Sequence, residues 1–392
     1  MIKNLEDFQL KSKRVIVRCD FNVPIDEKGN ISDNYRIRKS LPTIDYLIKE
    51  KAKVIILTHL GDFEEKAGLS PVQKELSNLL KKEIKKTNDC VGKEVEKEIE
   101  AMKEGDVILL ENVRKHKEEK ENDLKFAKEL SKLGDIFIND AFASSHRNHA
   151  SIVGITNYLP SGAGFLLKKE LAVLSKIMDN PWRPFGAIIG GVKFSTRINL
   201  IKNLINKADH ILFGGEIANN ILMAKGICVN KTWEGDKDST SEIRKIDITS
   251  PKIHLPIDVV VSGDKKGESY VRSTGPGVVK KEEFLLDIGP ETIRVFSDVL
   301  KDMKTIIWAG PLGLFEEPLF EKGTREIGER IARNHRAYKV AGGGDTVFSI
   351  FKFNLERGFD HISTGGGAML SFLSGDKLPG IEALEKNGDK KS

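Results

Sequence analysis

The sequence predicts an α/β protein of two domains with parallel sheets covered by helices, and three observations predict it. At 392 residues the chain exceeds what one ordinary hydrophobic core organises, so two cores are expected. Short apolar runs rich in Val and Ile recur at residues 15–19, 54–58, 107–110 and 136–138, with charged helical stretches such as 71–82 and 123–133 between them. Runs that are apolar throughout, not alternating, are buried on both faces, as the strands of a helix-covered parallel sheet are. The same rhythm resumes after Pro184, but there the apolar runs end in glycine: Ile188-Ile189-Gly190-Gly191, Ile211-Leu212-Phe213-Gly214-Gly215 and Ile306-Ile307-Trp308-Ala309-Gly310-Pro311.

In the first half, the spacing predicts a helix over about 37–50, with Pro42 inside it. A proline there removes a backbone donor and crowds the preceding turn, so a kink or a late start is expected. The residues behind each apolar run carry the chemistry. Asp20, Phe21 and Asn22 come after the first, and His59, Leu60, Gly61 and Asp62 after the second. Glu111, Asn112, Val113 and Arg114 come after the third; Asn139 and Asp140, then His146, Arg147 and His149, after the fourth. Ligands of open parallel sheets bind just beyond the carboxyl ends of the strands. Arg36, His59, Arg114, Arg147 and His149 are therefore candidates for one crevice that takes a small phosphate- or carboxylate-bearing ligand, for which guanidinium offers a planar fork of donors. Any one of them alone would be explained by a surface ion pair or a cap; their shared position after successive strands favours the crevice.

Between the halves, Pro160-Ser161-Gly162-Ala163-Gly164 precedes a helical run over 165–178 that closes on Asp179-Asn180-Pro181, which predicts a connecting helix and hinge. Nine of the 35 glycines precede residue 166 and 26 come after it. The first half offers basic side chains and the second offers open backbone. Two glycine triplets stand out, Gly342-Gly343-Gly344-Asp345-Thr346 and Gly365-Gly366-Gly367, each behind a short apolar run. Glycine at a helix start lets backbone N–H groups approach an anion, and the helix dipole adds partial positive charge. Asp345 and Thr346 suit a magnesium ion bridging nucleotide phosphates. Lys193 and Arg197, at the start of a helix reaching to about Ala208, are cations placed to meet a transferring phosphoryl group. Glu316 is a candidate acceptor for ribose hydroxyls, and Pro290 marks a helix start.

Composition excludes other classes. The 63 basic and 58 acidic residues give a net charge of +5, too balanced to predict nucleic-acid binding. Three scattered cysteines, Cys19, Cys90 and Cys228, read as reduced thiols in the cytoplasm. No run of 18 apolar residues and no apolar leader predict neither a membrane span nor export. The loop G-x-x-x-x-G-K-[ST], the G-x-G-x-x-G turn after the first strand and the protein-kinase catalytic loop are all absent.

Taken together, these motifs resemble the phosphoglycerate kinase family nearly end to end: Arg18-Cys19-Asp20-Phe21-Asn22-Val23-Pro24, Thr58-His59-Leu60-Gly61, Leu110-Glu111-Asn112-Val113-Arg114, His146-Arg147-Asn148-His149, Gly190-Gly191-Val192-Lys193, Gly310-Pro311-Leu312-Gly313-Leu314-Phe315-Glu316 and the two triplets. The resemblance implies two doubly wound, Rossmann-like domains joined by a helix. Residues 1–164 would bind 3-phosphoglycerate, 165–180 connect, 181–370 bind nucleotide, and 371–392 return to the first domain as a segment with a solvated tail. It implies reversible transfer between 1,3-bisphosphoglycerate and MgADP, giving 3-phosphoglycerate and MgATP, with Mg2+ as cofactor and a cytoplasmic monomer expected. By the same resemblance the acid sits on Asp20, Phe21, Asn22, Arg36, His59, Leu60, Gly61, Asp62, Arg114 and Arg147. The nucleotide sits on Arg197, Glu316, Gly343, Gly344, Asp345 and Thr346, with Asp345 near the metal, and Arg36, Lys193, Arg197 and Gly366 serve the transfer. Three positions depart from the family pattern: Asp62 stands for an arginine, Arg197 for a lysine and Ala309 for an asparagine. They predict a slower kinase with weaker acid affinity, and they leave open a catalytically silent nucleotide-binding relative or a kinase for another small acid.

Overall fold

The computed structural model describes residues 1–61, 68–192, 194–228 and 240–388. The chain divides into two compact units, Met1–Ala172 with Lys377–Ser392, and Val173–Asp376. It begins with β1 (Arg14–Arg18), α1 (Tyr35–Lys49), β2 (Lys53–Leu57), α2 (Ser70–Leu80), β3 (Lys85–Lys86), α3 (Lys93–Glu100) and β4 (Val107–Leu109). Then come α4 (Lys117–Lys120), α5 (Leu124–Ser131), β5 (Ile136–Asn139), β6 (Ser161–Ala163) and α6 (Phe165–Asp179), the last running from the first unit into the second. The second unit continues with β7 (Phe185–Ile189), α7 (Ile198–Lys207), β8 (His210–Phe213), α8 (Gly215–Ala224), α9 (Thr240–Arg244), β9 (Ile253–His254), β10 (Val259–Ser262), β11 (Val271–Thr274) and β12 (Phe284–Ile288). It ends with α10 (Pro290–Lys301), β13 (Thr305–Ala309), α11 (Lys322–Arg333), β14 (Tyr338–Ala341), α12 (Gly344–Lys352), β15 (His361–Ile362) and α13 (Gly366–Leu373), and α14 (Pro379–Gly388) then belongs to the first unit.

Each unit is built on a six-stranded sheet, in the orders β3-β4-β2-β1-β5-β6 and β15-β14-β13-β7-β8-β9. All the pairings in both are parallel. Strand β1 shows why its central residues, Val15, Ile16 and Val17, are all apolar. Val15 and Val17 join a core with Ile37, Ile44 and Leu47 of α1, while Ile16 joins a separate core with Val95, Ile99 and Phe126 of the helices on the other face. Burial on both faces removes any period-two signal.

Two details differ from expectation. Helix α1 begins at Tyr35, earlier than the sequence suggested, and runs unbroken through Pro42. Its buried face of Ile37, Ser40, Thr43, Ile44 and Leu47 holds the helix together across the one missing backbone bond. The second unit also carries a three-stranded antiparallel sheet, β11-β10-β12. Its apolar runs Val259-Val260-Val261 and Leu285-Leu286 do not announce it, because periodicity records burial and not the direction of the partner. Helix starts are set by their side chains: the Asp123 carboxylate accepts from Phe126 N–H at 2.8 Å to open α5, and Asp258 accepts from the N–H groups of Glu291 and Thr292 to open α10 behind Pro290.

Candidate active site

In the first unit, the residues just past β1 and β2 and the turn after β4 meet around Asp20. The Asp20 carboxylate is 7% exposed, accepts from Arg36 Nη1 at 2.9 Å and from Ser144 Oγ at 2.8 Å, and caps the N–H of Asn22 at 3.2 Å. Arg36 Nη1 also donates to the Asn22 carbonyl, and the Asn22 side-chain oxygen accepts from Gly61 N–H at 2.9 Å. Arg114 Nη1 reaches the Gly61 carbonyl at 2.6 Å. The Asn112 side chain brackets Leu60, donating to its carbonyl at 2.7 Å and accepting from its N–H. Asp20, Asn22, Arg36, Gly61 and Arg114 thus form one hydrogen-bonded frame with Leu60 stitched to its rim.

Phe21 is fully buried, its N–H held by Thr58 Oγ1, so it serves this frame through backbone and packing. Arg147 is exposed on the turn after Phe142, and its side chain has no partner among the described residues. Asp62 lies outside the described residues.

Charge in this frame is arranged for an anion. Burial alone would raise the Asp20 carboxyl, yet its neighbours hold it below the usual carboxylate range: His59 when it carries a proton, and at every pH Arg36, Arg18 and the Ser144 hydroxyl. His59, 2% exposed, is driven well below its ordinary value by burial, with Arg18, Arg114 and Arg36 adding to that against the pull of Asp20. His149 is lowered to about 3 by burial and by Arg18, Arg114 and Arg147. The histidines are therefore neutral and the positive charge resides on arginine, which stays protonated at any working pH.

In the second unit, the glycine-ended strands build a cleft of about 200 Å³ lined by Gly191, Gly215, Leu286, Pro311, Gly313, Glu316 and Asp345, with Glu216, Asn219, Lys265 and Asp287 also on its wall. Its floor needs bare backbone. A Cβ on Gly190 would stand 1.9 Å from the Pro311 carbonyl oxygen, while Gly191 N–H bonds that same oxygen at 2.9 Å and Gly215 N–H bonds the Leu312 oxygen at 2.8 Å. The two triplets meet: a Cβ on Gly366, in the first turn of α13, would lie 3.6 Å from the Gly344 nitrogen in the first turn of α12. Two helix N-termini thus lie side by side, and each adds partial positive charge there.

Asp345 is exposed in the first turn of α12 and on the cleft wall, and it has no hydrogen-bond partner among the described residues. Thr346 is fully buried with its Oγ1 accepting from Gly310 N–H at 2.7 Å, so its hydroxyl ties two loops together. Gly343, at a φ of 103°, is the N-cap of α12. The Arg197 guanidinium donates to the Ala309 carbonyl at 2.9 Å and lies against Gly191; burial lowers its pKa and Asp345 raises it. Ala309 contributes its backbone oxygen to this loop. Lys193 lies outside the described residues.

Sequence reasoning missed Arg18, Ser144, Asp287 and the Glu216, Asn219 and Lys265 wall as site residues. Arg18 did carry a signal: a charged residue within the otherwise apolar run 15–19. The others belong to segments whose role depends on which loops pack together.

A unit that gathers arginines around a small polar frame, and a second with a glycine-floored cleft under two helix N-termini, define a phosphate-handling α/β protein. The comparisons with known proteins give the family. The family model described as phosphoglycerate kinase matches residues 5–376. The phosphoglycerate kinase of Dictyoglomus turgidum is 47% identical over 390 residues, 98% of each chain. That of Pelotomaculum thermopropionicum is 43% identical over 389 residues, 97% of this chain and 98% of its own. Among solved structures, the phosphoglycerate kinase of Coxiella burnetii superimposes with a TM-score of 0.86 at 36% identity, covering 98% of this chain and 99% of its own. The Pyrococcus horikoshii enzyme gives 0.89 at 33% identity over the whole of both chains. The chain belongs to the phosphoglycerate kinase family. It is a kinase, and the silent relative and the kinase for another acid gain no support from these matches.

Proposed function

We propose that the frame around Asp20 binds 3-phosphoglycerate and that the cleft ending at Asp345 binds ADP and ATP. The observation that supports this best is the division of donors: arginine forks with neutral histidines in one unit, bare amides at paired helix starts in the other. An oxygen of the acid's carboxylate attacks the terminal phosphorus of ATP. The bond from that phosphorus to the ADP oxygen breaks, and an acyl phosphate forms; the reverse direction makes ATP. The protein's share is to bind, align and stabilise charge, without a covalent intermediate. Arg36 and Arg114, with Arg147, take the acid's phosphate and carboxylate. Arg197, Lys193 and the Gly366 amide meet the charge spread over the transferring group. Glu316 takes ribose hydroxyls, and Gly343 and Gly344 present N–H groups to phosphate. Transfer requires acid and nucleotide to share one water-free volume, so closure belongs to the reaction.

The Asp345 carboxylate, exposed on the cleft wall and free of hydrogen bonds among the described residues, fits a hard cation that takes one protein carboxylate alongside phosphate oxygens and waters. Mg2+ bound there would neutralise phosphate charge. Three buried free cysteines fit the cytoplasmic location we expect, and a monomer is expected with it. A direct test is isothermal calorimetry with 3-phosphoglycerate and with MgADP separately: each should bind, and Arg36→Ala should weaken only the first while Asp345→Ala weakens only the second.

A further inference from the structure

We infer that Arg18 is a positioning residue that locks His59 into the tautomer with Nε2–H, so that this buried imidazole acts as a fixed hydrogen-bond donor. Arg18 Nη2 lies 3.1 Å from His59 Nδ1. A guanidinium carries donors only, so the nitrogen facing it must be the ring's bare acceptor. The other tautomer, and the imidazolium, would both set N–H against N–H there. What remains is one ring donor, Nε2–H, whatever the solution pH between the extremes.

The lock is itself held. Arg18, Ser151 and Glu119 are all fully buried. Arg18 Nε donates to Ser151 Oγ at 2.8 Å, and its Nη1 donates to the Cys19 carbonyl. Ser151 Oγ donates its own proton to Glu119 Oε1 at 2.6 Å, and Ser151 N–H meets Glu119 Oε2 at 2.8 Å. One hydroxyl therefore joins a buried cation to a buried carboxylate, which balances the charge that a lone buried guanidinium would leave. With each of its three nitrogens directed, the guanidinium cannot rotate away from His59. A neutral imidazole with an undetermined tautomer would present a donor only part of the time; a locked one presents it always, which is the preorganisation that anion binding rewards.

The functional side of this inference rests on the frame around Asp20 binding the acid, as proposed above, with His59 Nε2–H as one of its donors, and the two are separable by experiment. Nitrogen-15 NMR of the whole protein with labelled histidine reads the tautomer without substrate. The expected spectrum shows His59 Nδ1 as the unprotonated nitrogen and Nε2 as the protonated one. Nδ1 found protonated in the wild-type protein would overturn the lock. Arg18→Met and Ser151→Ala should each turn His59 into a mixture of tautomers and weaken 3-phosphoglycerate binding by about 10-fold for the first and less for the second. Unchanged His59 signals in both folded variants would refute the assignment, and the wild-type spectrum alone decides it should neither fold. If 3-phosphoglycerate leaves the His59 resonances of the wild type unmoved, the acid-binding reading of His59 fails while the tautomer stands.

Discussion

Arg36 Nη1 stands 2.9 Å from Asp20 Oδ1, the guanidinium about one-third exposed and the carboxylate nearly closed off from solvent. The buried partner orients the accessible one: Asp20 keeps the Arg36 fork in place, and the remaining Arg36 donors are left for a ligand. Replacing Asp20 by Asn keeps the shape and removes the charge. Losing a charge-assisted bond costs about 1.5–3 kcal/mol, so the KM for 3-phosphoglycerate should rise about 10-fold or more with kcat less affected. Steady-state kinetics at saturating MgATP will show it.

The same carboxylate sets an acid limit. Its pKa in the folded chain lies below the unfolded value of about 3.9. Its contribution to stability is therefore present above about pH 4 and is lost as the pH falls below that. Thermal unfolding of Asp20→Asn should start lower than wild type at pH 7, and the two should converge toward pH 2.

Asp140 has the opposite sign. It is fully buried, accepts from Leu166 N–H at 2.9 Å through Oδ1, and its Oδ2 has no hydrogen-bond partner. Burial raises it to about 7, against the bonds from Thr43 and the Leu167 and Leu166 amides. A carboxyl raised on folding stabilises below its unfolded value of about 3.9 and loses that contribution as the pH rises toward 7. Asp140→Asn, which keeps the acceptor and adds donors where Oδ2 stands, should be the more stable protein at pH 8, by a few kcal/mol at most, and about equal to wild type at pH 4. Chemical denaturation at the two pH values measures the difference.

Two glycines separate packing from chemistry. Gly190→Ala would drive a methyl into the Pro311 carbonyl, 1.9 Å away. It should cost about 1–3 kcal/mol of stability, seen as a melting point several degrees lower. Gly366→Ala meets nothing nearer than 3.6 Å, so the fold should tolerate it. Its methyl would crowd the anion that the paired helix starts attract, and kcat should fall at least about 10-fold at an unchanged melting point.

Asp345→Asn tests the metal. Its carboxylate is exposed and makes no hydrogen bond among the described residues, and its pull on Arg197 is through space, so the substitution should change stability little. MgATP-dependent kcat should fall about 100-fold or more, while ADP binding without magnesium, read by calorimetry, should be unchanged.

Much of this site is legible in the sequence alone. Asp20, Asn22, His59, Gly61 and Arg114 stand behind apolar runs, and in a parallel sheet position after a strand is position at the mouth. The two triplets are legible for the same reason, since glycine behind a strand is a backbone instruction. What stays hidden is what depends on the neighbour. Ser144 belongs to the frame only because its loop folds over Asp20, and Asp287 reaches the cleft only because β12 pairs in an antiparallel sheet that its apolar pattern does not reveal. Thr346 shows the same: the contact of its hydroxyl with the Gly310 amide depends on two loops meeting, which no local pattern announces.

The most direct test of the central claim is turnover itself: purified protein, millimolar 3-phosphoglycerate and MgATP, with 1,3-bisphosphoglycerate removed as it forms by a coupling dehydrogenase and its reduced nicotinamide cofactor. Steady oxidation of that cofactor, abolished when either substrate or magnesium is omitted, is the predicted result. No turnover above the uncoupled rate, with both ligands shown to bind, would contradict the account.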